Sequence, residues 1–386
     1  MTVELDGWCA PGWGGVRDAL ASSLSSGRDL GASVSAFHHG ECTVDLAGGW
    51  VDRANTIPYR RSTLQVLFST TKGVVATALA MCVQRGLLRY RDRVSEHWPE
   101  FAAAGKANFE VRDVLAHRAG LEVPEGPMSL GEALDWEAAT SRLAASAPRR
   151  GPSDPHGYHA ITFGWLAGEI LRRVDGRSIG EFVADEIAGP LGVDVWIGLP
   201  ERYEPRLSPL IGPRSGGADG AAPLDDVVTV NGALAVKGGF NRRELRAAQI
   251  PGANGVGNAH AIATMYASTL GEVDARGTGV RLLDEGTRLA ATERATSAGS
   301  LDAVLGMATS FAQGGYMLAS PVVAYRRDGS FGHPGAGGSV GFADPTSGLA
   351  FAYVMNTMGG ALMVDPRAEA LVAAAYAATS TQRVKD

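Results

Sequence analysis

Hydrophobic positions along this chain recur with two periods, and the period changes with place. Residues 14–24 (GGVRDALASSL) carry the spacing of a helix, after which residues 32–37 and 42–46 read as two strands joined by the turn His39-Gly40-Glu41. From Ser69 a long apolar run, TTKGVVATALAMCVQRG, predicts a helix closed by Gly86, and helical spacing prevails from there to about Ala303. Residues 111–116 and 161–174 are examples, the second stopped by Asp175-Gly176, a glycine just past the last turn. Residues 147–155 (APRRGPSDP) and 212–223 (GPRSGGADGAAP) are too rich in Gly and Pro for regular structure and read as surface loops. The period of two returns at residues 338–343 and 349–355 around the turn Asp344-Pro345-Thr346-Ser347-Gly348. Residues 368–378 predict a closing helix that an Asp-Pro start caps.

Strands at both ends with helices between them imply one α/β domain built from residues 1–68 and 304–386. An inserted, mainly helical domain is expected at 69–303, with the site where the two meet. The 386 residues are 45% hydrophobic and 20% charged, enough for a large core and against disorder as the main state. A formal net charge of −6 without a lysine-rich block argues against a nucleic-acid or anionic membrane surface, so the expected partners are small molecules. The longest apolar stretch, residues 73–83, is shorter than the roughly 18 residues that a membrane crossing needs. The start MTVELDGWCAPGWGG has neither a basic nor an apolar signal region. Cys9, Cys42 and Cys82 are odd in number and widely spaced, which suggests neither a disulfide framework nor a CxxC site; a reduced, cytoplasmic setting is the expectation.

Three places offer chemistry. Ser69 and Lys72 are three apart at the start of the apolar helix, so they share a face, and a desolvated lysine has a lowered pKa suited to taking a serine proton. Tyr158, just before a helix, is a candidate base if a neighbouring ammonium draws its pKa down. Gly332-His333-Pro334-Gly335-Ala336-Gly337-Gly338 is small enough for backbone N–H groups to approach a ligand, as an oxyanion hole requires. Two GxSxG strings, residues 176–180 and 337–341, lack the strand-to-helix turn that gives that motif its meaning. His156 and His159 make at most half a metal site, His38 and His39 are expected in solvent, and His117 is expected to make a structural hydrogen bond.

Ser69-Thr70-Thr71-Lys72, the segment VRDVLAHRAGL at 111–121, Tyr158 and GHPGAGG at 332–338 follow one another as in the serine β-lactamase and penicillin-binding-protein superfamily. Gly189-Pro190-Leu191-Gly192 and Asn254-Gly255-Val256-Gly257 add to the likeness, and the chain most resembles the class C β-lactamase-like carboxylesterases called family VIII. The resemblance implies the β-lactamase-like fold, α/β plus all-α, an antiparallel sheet flanked by N- and C-terminal helices with an inserted helical domain. It implies Ser69 as the acylated nucleophile, Lys72 and Tyr158 as sharers of the base role, and the N–H groups of Ser69 and Ala336 as the oxyanion hole. His333, Gly335, Gly337 and His159 are then the expected substrate-binding residues, with no metal or organic cofactor. Two departures bear on the substrate: Ala160 stands where the lactamases have the asparagine of Tyr-x-Asn, and His333-Pro334-Gly335 replaces a Lys-Thr/Ser-Gly triad. A histidine with a pKa near 6.5 is mostly neutral at pH 7 and grips a carboxylate weakly. Small neutral esters of short acyl acids are therefore the expected substrates. The alternatives are an acyltransferase using the same acyl-enzyme, weak β-lactamase or D-aminopeptidase activity, or a binding protein that has lost the chemistry. Pocket walls are expected from residues 122–143 and 199–253.

Overall fold

The computed structural model describes residues 4–153, 155–212, 225–360 and 363–382. At the N-terminal end the chain forms strand β1 (Leu5–Cys9), helix α1 (Gly14–Ser25) and the hairpin β2 (Gly31–His38) and β3 (Glu41–Gly49). The middle is dominated by helices, among them α2 (Thr71–Gln84), α3 (Thr162–Asp175) and α4 (Ala259–Leu270). Strands β4 (Met317–Leu318), β5 (Phe331–Pro334), β6 (Val340–Asp344) and β7 (Leu349–Met355) follow, and α5 (Pro366–Gln382) closes the chain.

The two ends share one antiparallel sheet, which among the described residues has seven strands in the order β1-β3-β2-β7-β6-β5-β4. Its seam is the β2–β7 ladder, which sets Val34 opposite Tyr353 and Phe37 opposite Ala350. Helices α1 and α5 pack on each other and against the sheet, while α4 packs on β2, β6 and β7. Covered on both faces, β6 and β7 are buried at every position rather than at alternate ones. The start of α5 follows the expected Asp-Pro signal: Asp365 Oδ1 accepts from the Arg367 N–H at 2.9 Å, and its carbonyl accepts from the Glu369 N–H at 3.0 Å.

Helix α2 is apolar on every side, and residues 71–82 are all buried, so it lies at the centre of the molecule and packs against α3. Helix α3 stops at Gly176 as the sequence predicts. The segment 69–303 is not wholly helical. Strand residues 256–257 pair with 65–66 on one side and 195–196 on the other, a small hairpin occupies 273–280, and α4 belongs to the layers of the sheet. Residues 147–155 are irregular as expected, with 154 outside the described residues, and all but Gly212 of the second expected loop also lies outside them.

Candidate active site

Ser69 stands where the 65–66 strand turns into α2. Phe68, the residue before it, has a φ of 47°, a left-handed conformation that is strained for a large side chain. Two side-chain donors help to hold this turn. Thr71 Oγ1 donates to the Phe68 carbonyl at 2.6 Å, and Ser339 Oγ donates to the Leu67 carbonyl at 2.9 Å. Ser69 is thereby presented at the N-terminal end of a 14-residue helix, where free N–H groups and the positive end of the dipole favour negative charge. Lys72 Nζ returns to 3.1 Å from Ser69 Oγ, the contact that its spacing predicts. The Tyr158 hydroxyl reaches the same oxygen and donates to it at 2.8 Å.

Lys72 is fully buried, and its Nζ also lies 2.6 Å from the Ala160 carbonyl and 2.7 Å from the Gly252 carbonyl. Burial holds its pKa well below the ordinary lysine range and so favours the neutral amine. A neutral amine has two N–H donors and one lone pair, and carbonyl oxygens can only accept. Ala160 and Gly252 therefore take both protons, and the lone pair is left for Ser69 Oγ. Tyr158 behaves differently from the expectation. Burial dominates and pushes its phenol upwards, against the hydrogen bond to Ser69 that pulls it down, and a neutral amine exerts no charge to counter this. Tyr158 is consequently a protonated donor.

The glycine-rich stretch begins as strand β5, whose ladder with β6 ends at the Pro334–Val340 pair. Beyond it Gly338 N–H donates to the Gly335 carbonyl at 3.1 Å, and Gly335 N–H donates to the Ser339 carbonyl at 2.7 Å. Gly337, at φ 86°, fills the left-handed third position of this turn, which a side chain resists. N–H and C=O of one trans peptide point in opposite directions. Tying the Gly335 carbonyl into the turn therefore aims the Ala336 N–H outwards. The turn lies directly against the serine segment: Ser339 Oγ meets Thr70 Oγ1 at 3.1 Å, and a Cβ on Gly335 would sit 2.4 Å from the Leu67 carbonyl.

Residues 16–375 match the family profile described as Beta-lactamase. The chain belongs to the β-lactamase family. It is similar to the esterase/beta-lactamase LipL of Mycobacterium tuberculosis (strain ATCC 25618 / H37Rv), with 34% identity over 370 residues that cover 91% of this chain and 82% of LipL. Among solved structures, a family VIII carboxylesterase superposes with a TM-score of 0.88 at 36% identity, covering 97% of this chain and 100% of the other. A penicillin-binding-protein homologue from Caulobacter crescentus gives 0.87 at 37% identity with the same coverage. The resemblance and the fold read from the motifs are thereby borne out, and the protein is a serine hydrolase of this superfamily.

In this β-lactamase-family hydrolase His333 is fully buried, and its ring stacks on Tyr158 with centroids 5.9 Å apart. Its Nδ1 lies 2.6 Å from the Pro334 carbonyl, which assigns the proton to Nδ1 and leaves Nε2 an acceptor with no partner among the described residues. Burial, the largest cause, lowers its pKa to about 3, so the ring is neutral. His159 is bonded within the protein. It is fully buried, Nδ1 meets the Gly157 carbonyl at 2.6 Å, and Nε2 accepts from the Leu121 N–H at 3.0 Å, so neither nitrogen is left for a ligand. His117 makes the structural bond expected of it, Nδ1 accepting from the His159 N–H at 3.0 Å.

Asp302, which the sequence does not single out, anchors this segment. Its Oδ1 accepts from the N–H groups of Tyr158 at 3.0 Å, Val304 at 2.8 Å and Leu305 at 3.0 Å. The serines of both GxSxG strings have structural work: Ser339 as described, and Ser178 as the cap of the short helix Ile179–Phe182 in a reciprocal pair with Glu181. Among the described residues no group of three or more His, Cys, Asp or Glu is placed to hold a metal ion. His156 meets Thr309 Oγ1 at 2.7 Å instead. No helix of the described residues is long and apolar enough to cross a membrane.

Proposed function

We propose that this chain is a carboxylesterase that cleaves small neutral esters of short acyl acids through an acyl-Ser69 intermediate. The observation that carries this reading is the convergence of Lys72 Nζ, at 3.1 Å, and the Tyr158 hydroxyl, at 2.8 Å, on Ser69 Oγ. The Lys72 lone pair takes the Ser69 proton as Oγ attacks the ester carbonyl carbon. The N–H groups of Ser69 and Ala336 hold the oxyanion that forms. When the tetrahedral intermediate collapses, the C–O bond to the alcohol breaks, and Tyr158 supplies a proton to the departing alkoxide while the Lys72 ammonium replenishes Tyr158. Water then attacks the acyl-enzyme, gives its proton to the Lys72 amine, and Ser69 leaves with a proton restored.

Two features favour a neutral substrate. His333 carries no charge where a cation would grip a carboxylate, and Ala160 offers Lys72 a carbonyl but has no side-chain amide to bind an acylamino group. The esterase names of the family VIII structure and of LipL agree with this choice. The three free cysteines suit a reducing, cytoplasmic setting.

The test is hydrolysis of p-nitrophenyl butyrate by the wild type and by Ser69→Ala, with product analysis in the presence of an added alcohol. Free butyrate from the wild type and a loss of at least about 10³-fold in the variant are expected. A butyrate ester of the added alcohol as main product converts the reading to an acyltransferase, and undiminished turnover by Ser69→Ala overturns it.

A further inference from the structure

Arg367, at the start of α5, is 6% exposed, yet it is far from the reacting serine in sequence and absent from the machinery described above. Its guanidinium is fully occupied. Nε meets Asp365 Oδ1 at 2.9 Å, Nη1 meets Asp29 Oδ1 at 2.8 Å and the Thr357 carbonyl at 2.9 Å, and Nη2 meets Asp365 Oδ2 at 2.8 Å. Asp29 is itself held by the Tyr353 hydroxyl at 2.8 Å and by Ser23 Oγ at 2.5 Å. These contacts join α5 to the sheet, and a buried ion cluster is costly unless its geometry is well satisfied. One further bond leaves the cluster: Nη2 donates to the Gly337 carbonyl at 2.6 Å, inside the turn that carries the Ala336 amide.

That bond begins a line of donors and acceptors. The Gly337 carbonyl shares its peptide with the Gly338 N–H, which must point the opposite way and donates to the Gly335 carbonyl at 3.1 Å. The Gly335 carbonyl shares its peptide with the Ala336 N–H, which again must point away. Two rigid peptide planes thus connect the guanidinium to the outward-facing amide. A cation at one end of such a line also polarises each amide along it, which strengthens the last donor.

We propose that Arg367 is a positioning residue of the oxyanion hole, which aims and polarises the Ala336 N–H through the Gly337–Gly338 and Gly335–Ala336 peptides. The proposal rests on the reading that Ala336 contributes to that hole. A guanidinium is needed because it spans Asp29, Asp365 and the Gly337 carbonyl at once, which an ammonium cannot do from one point. Arg367→Lys keeps the charge and loses the fork.

The test measures kcat and KM on p-nitrophenyl butyrate, inhibition by butaneboronic acid, which becomes tetrahedral on the serine, and thermal stability. It compares the wild type, Arg367→Lys, Tyr353→Phe and Ser69→Ala. Removing an oxyanion donor outright costs about 10² to 10³ in kcat, so a misaimed one should cost about 10- to 100-fold. KM should stay within about twofold, and boronate affinity should fall by the same factor as kcat, because both report the tetrahedral state. Tyr353→Phe loosens the same cluster without touching the Gly337 bond, so it should lower the melting temperature and leave kcat in place. A folded Arg367→Lys with wild-type kcat and boronate affinity overturns the proposal, as does an equal loss of kcat in Tyr353→Phe. If Arg367→Lys does not fold, Asp365→Asn, which keeps an acceptor for Nε and sets an NH2 donor against Nη2, takes its place under the same criteria. Ser69→Ala separates the two levels: if it stays active the esterase reading fails, and if it is inactive while the Arg367 variant is normal only this inference fails.

Discussion

Ser339→Ala separates a structural serine from a catalytic one, because residue 339 is the centre of a GxSxG string and yet sits in a scaffold. The side chain is buried, donates to the Leu67 carbonyl at 2.9 Å and meets Thr70 Oγ1 at 3.1 Å. Truncation leaves the Leu67 carbonyl with the Thr70 N–H, at 3.2 Å, and one hydroxyl short of a partner, together about 2 kcal/mol. Unfolding entropy of roughly 2.1 cal/mol/K per residue comes to about 0.8 kcal/mol/K for a chain of this length, so the melting temperature should fall by about 2.5 °C if the protein unfolds in one step. The Gly335 N–H to Ser339 carbonyl bond is untouched, so the turn persists and turnover should stay within about tenfold of wild type. Thermal denaturation followed by circular dichroism, with kcat on p-nitrophenyl butyrate from the same preparation, checks both halves. An unchanged melting temperature with turnover lost by more than about 10³-fold would show that Ser339 is the nucleophile and that its place in the scaffold has been misjudged.

The pH dependence of kcat/KM should be a single ascending limb. The working base is the neutral Lys72 amine, whose lowered pKa sets the midpoint, while His333 is already neutral above about 3 and the raised Tyr158 adds no descending limb near 10. A step near pH 6.5 that His333→Ala removes would contradict this assignment. Below the unfolded lysine pKa, and down to the lowered native one, the unfolded chain binds the extra proton, so Lys72 makes stability rise with pH by up to about 1.4 kcal/mol per unit. Lys72→Met should remove that slope from denaturant-melt profiles taken between pH 7 and 10 and lower kcat by at least about 10²-fold, and an unchanged slope would place the charged amine in the native state. His159→Ala should cost about 2 to 4 kcal/mol by stranding the Leu121 N–H and the Gly157 carbonyl, with KM unchanged on p-nitrophenyl butyrate. A raised KM with unchanged stability would return His159 to the substrate site.

The features that could be read in the sequence are those with a repeating signal. The hairpins at both ends, the apolar run that becomes α2 and the stop of α3 at Gly176 all follow period or cap chemistry. Strand β1 carries no periodic signal because LDGWC is an edge strand with no alternation and with Gly7 at φ 117°. Strand β5 leaves no periodic signal, since FGHP is buried at all four positions and so lacks a polar face to give a period. The two-residue strands of the 69–303 segment are too short for any pattern. At the site, Ser69, Lys72 and Tyr158 were legible because their side chains carry the chemistry. The carbonyls of Ala160 and Gly252 that orient the Lys72 amine were not, for every residue has a carbonyl and only the fold selects two of them. Asp302 and Arg367 act through backbone groups and leave no motif for the same reason.

The most direct test of the central claim is to label the wild-type protein with a fluorophosphonate and map the adduct by peptide mass spectrometry. One adduct is expected, on Ser69, formed in step with loss of p-nitrophenyl butyrate turnover and absent in Ser69→Ala. An adduct on Ser339, Ser178 or any other residue, or full turnover by a protein labelled at Ser69, would contradict it.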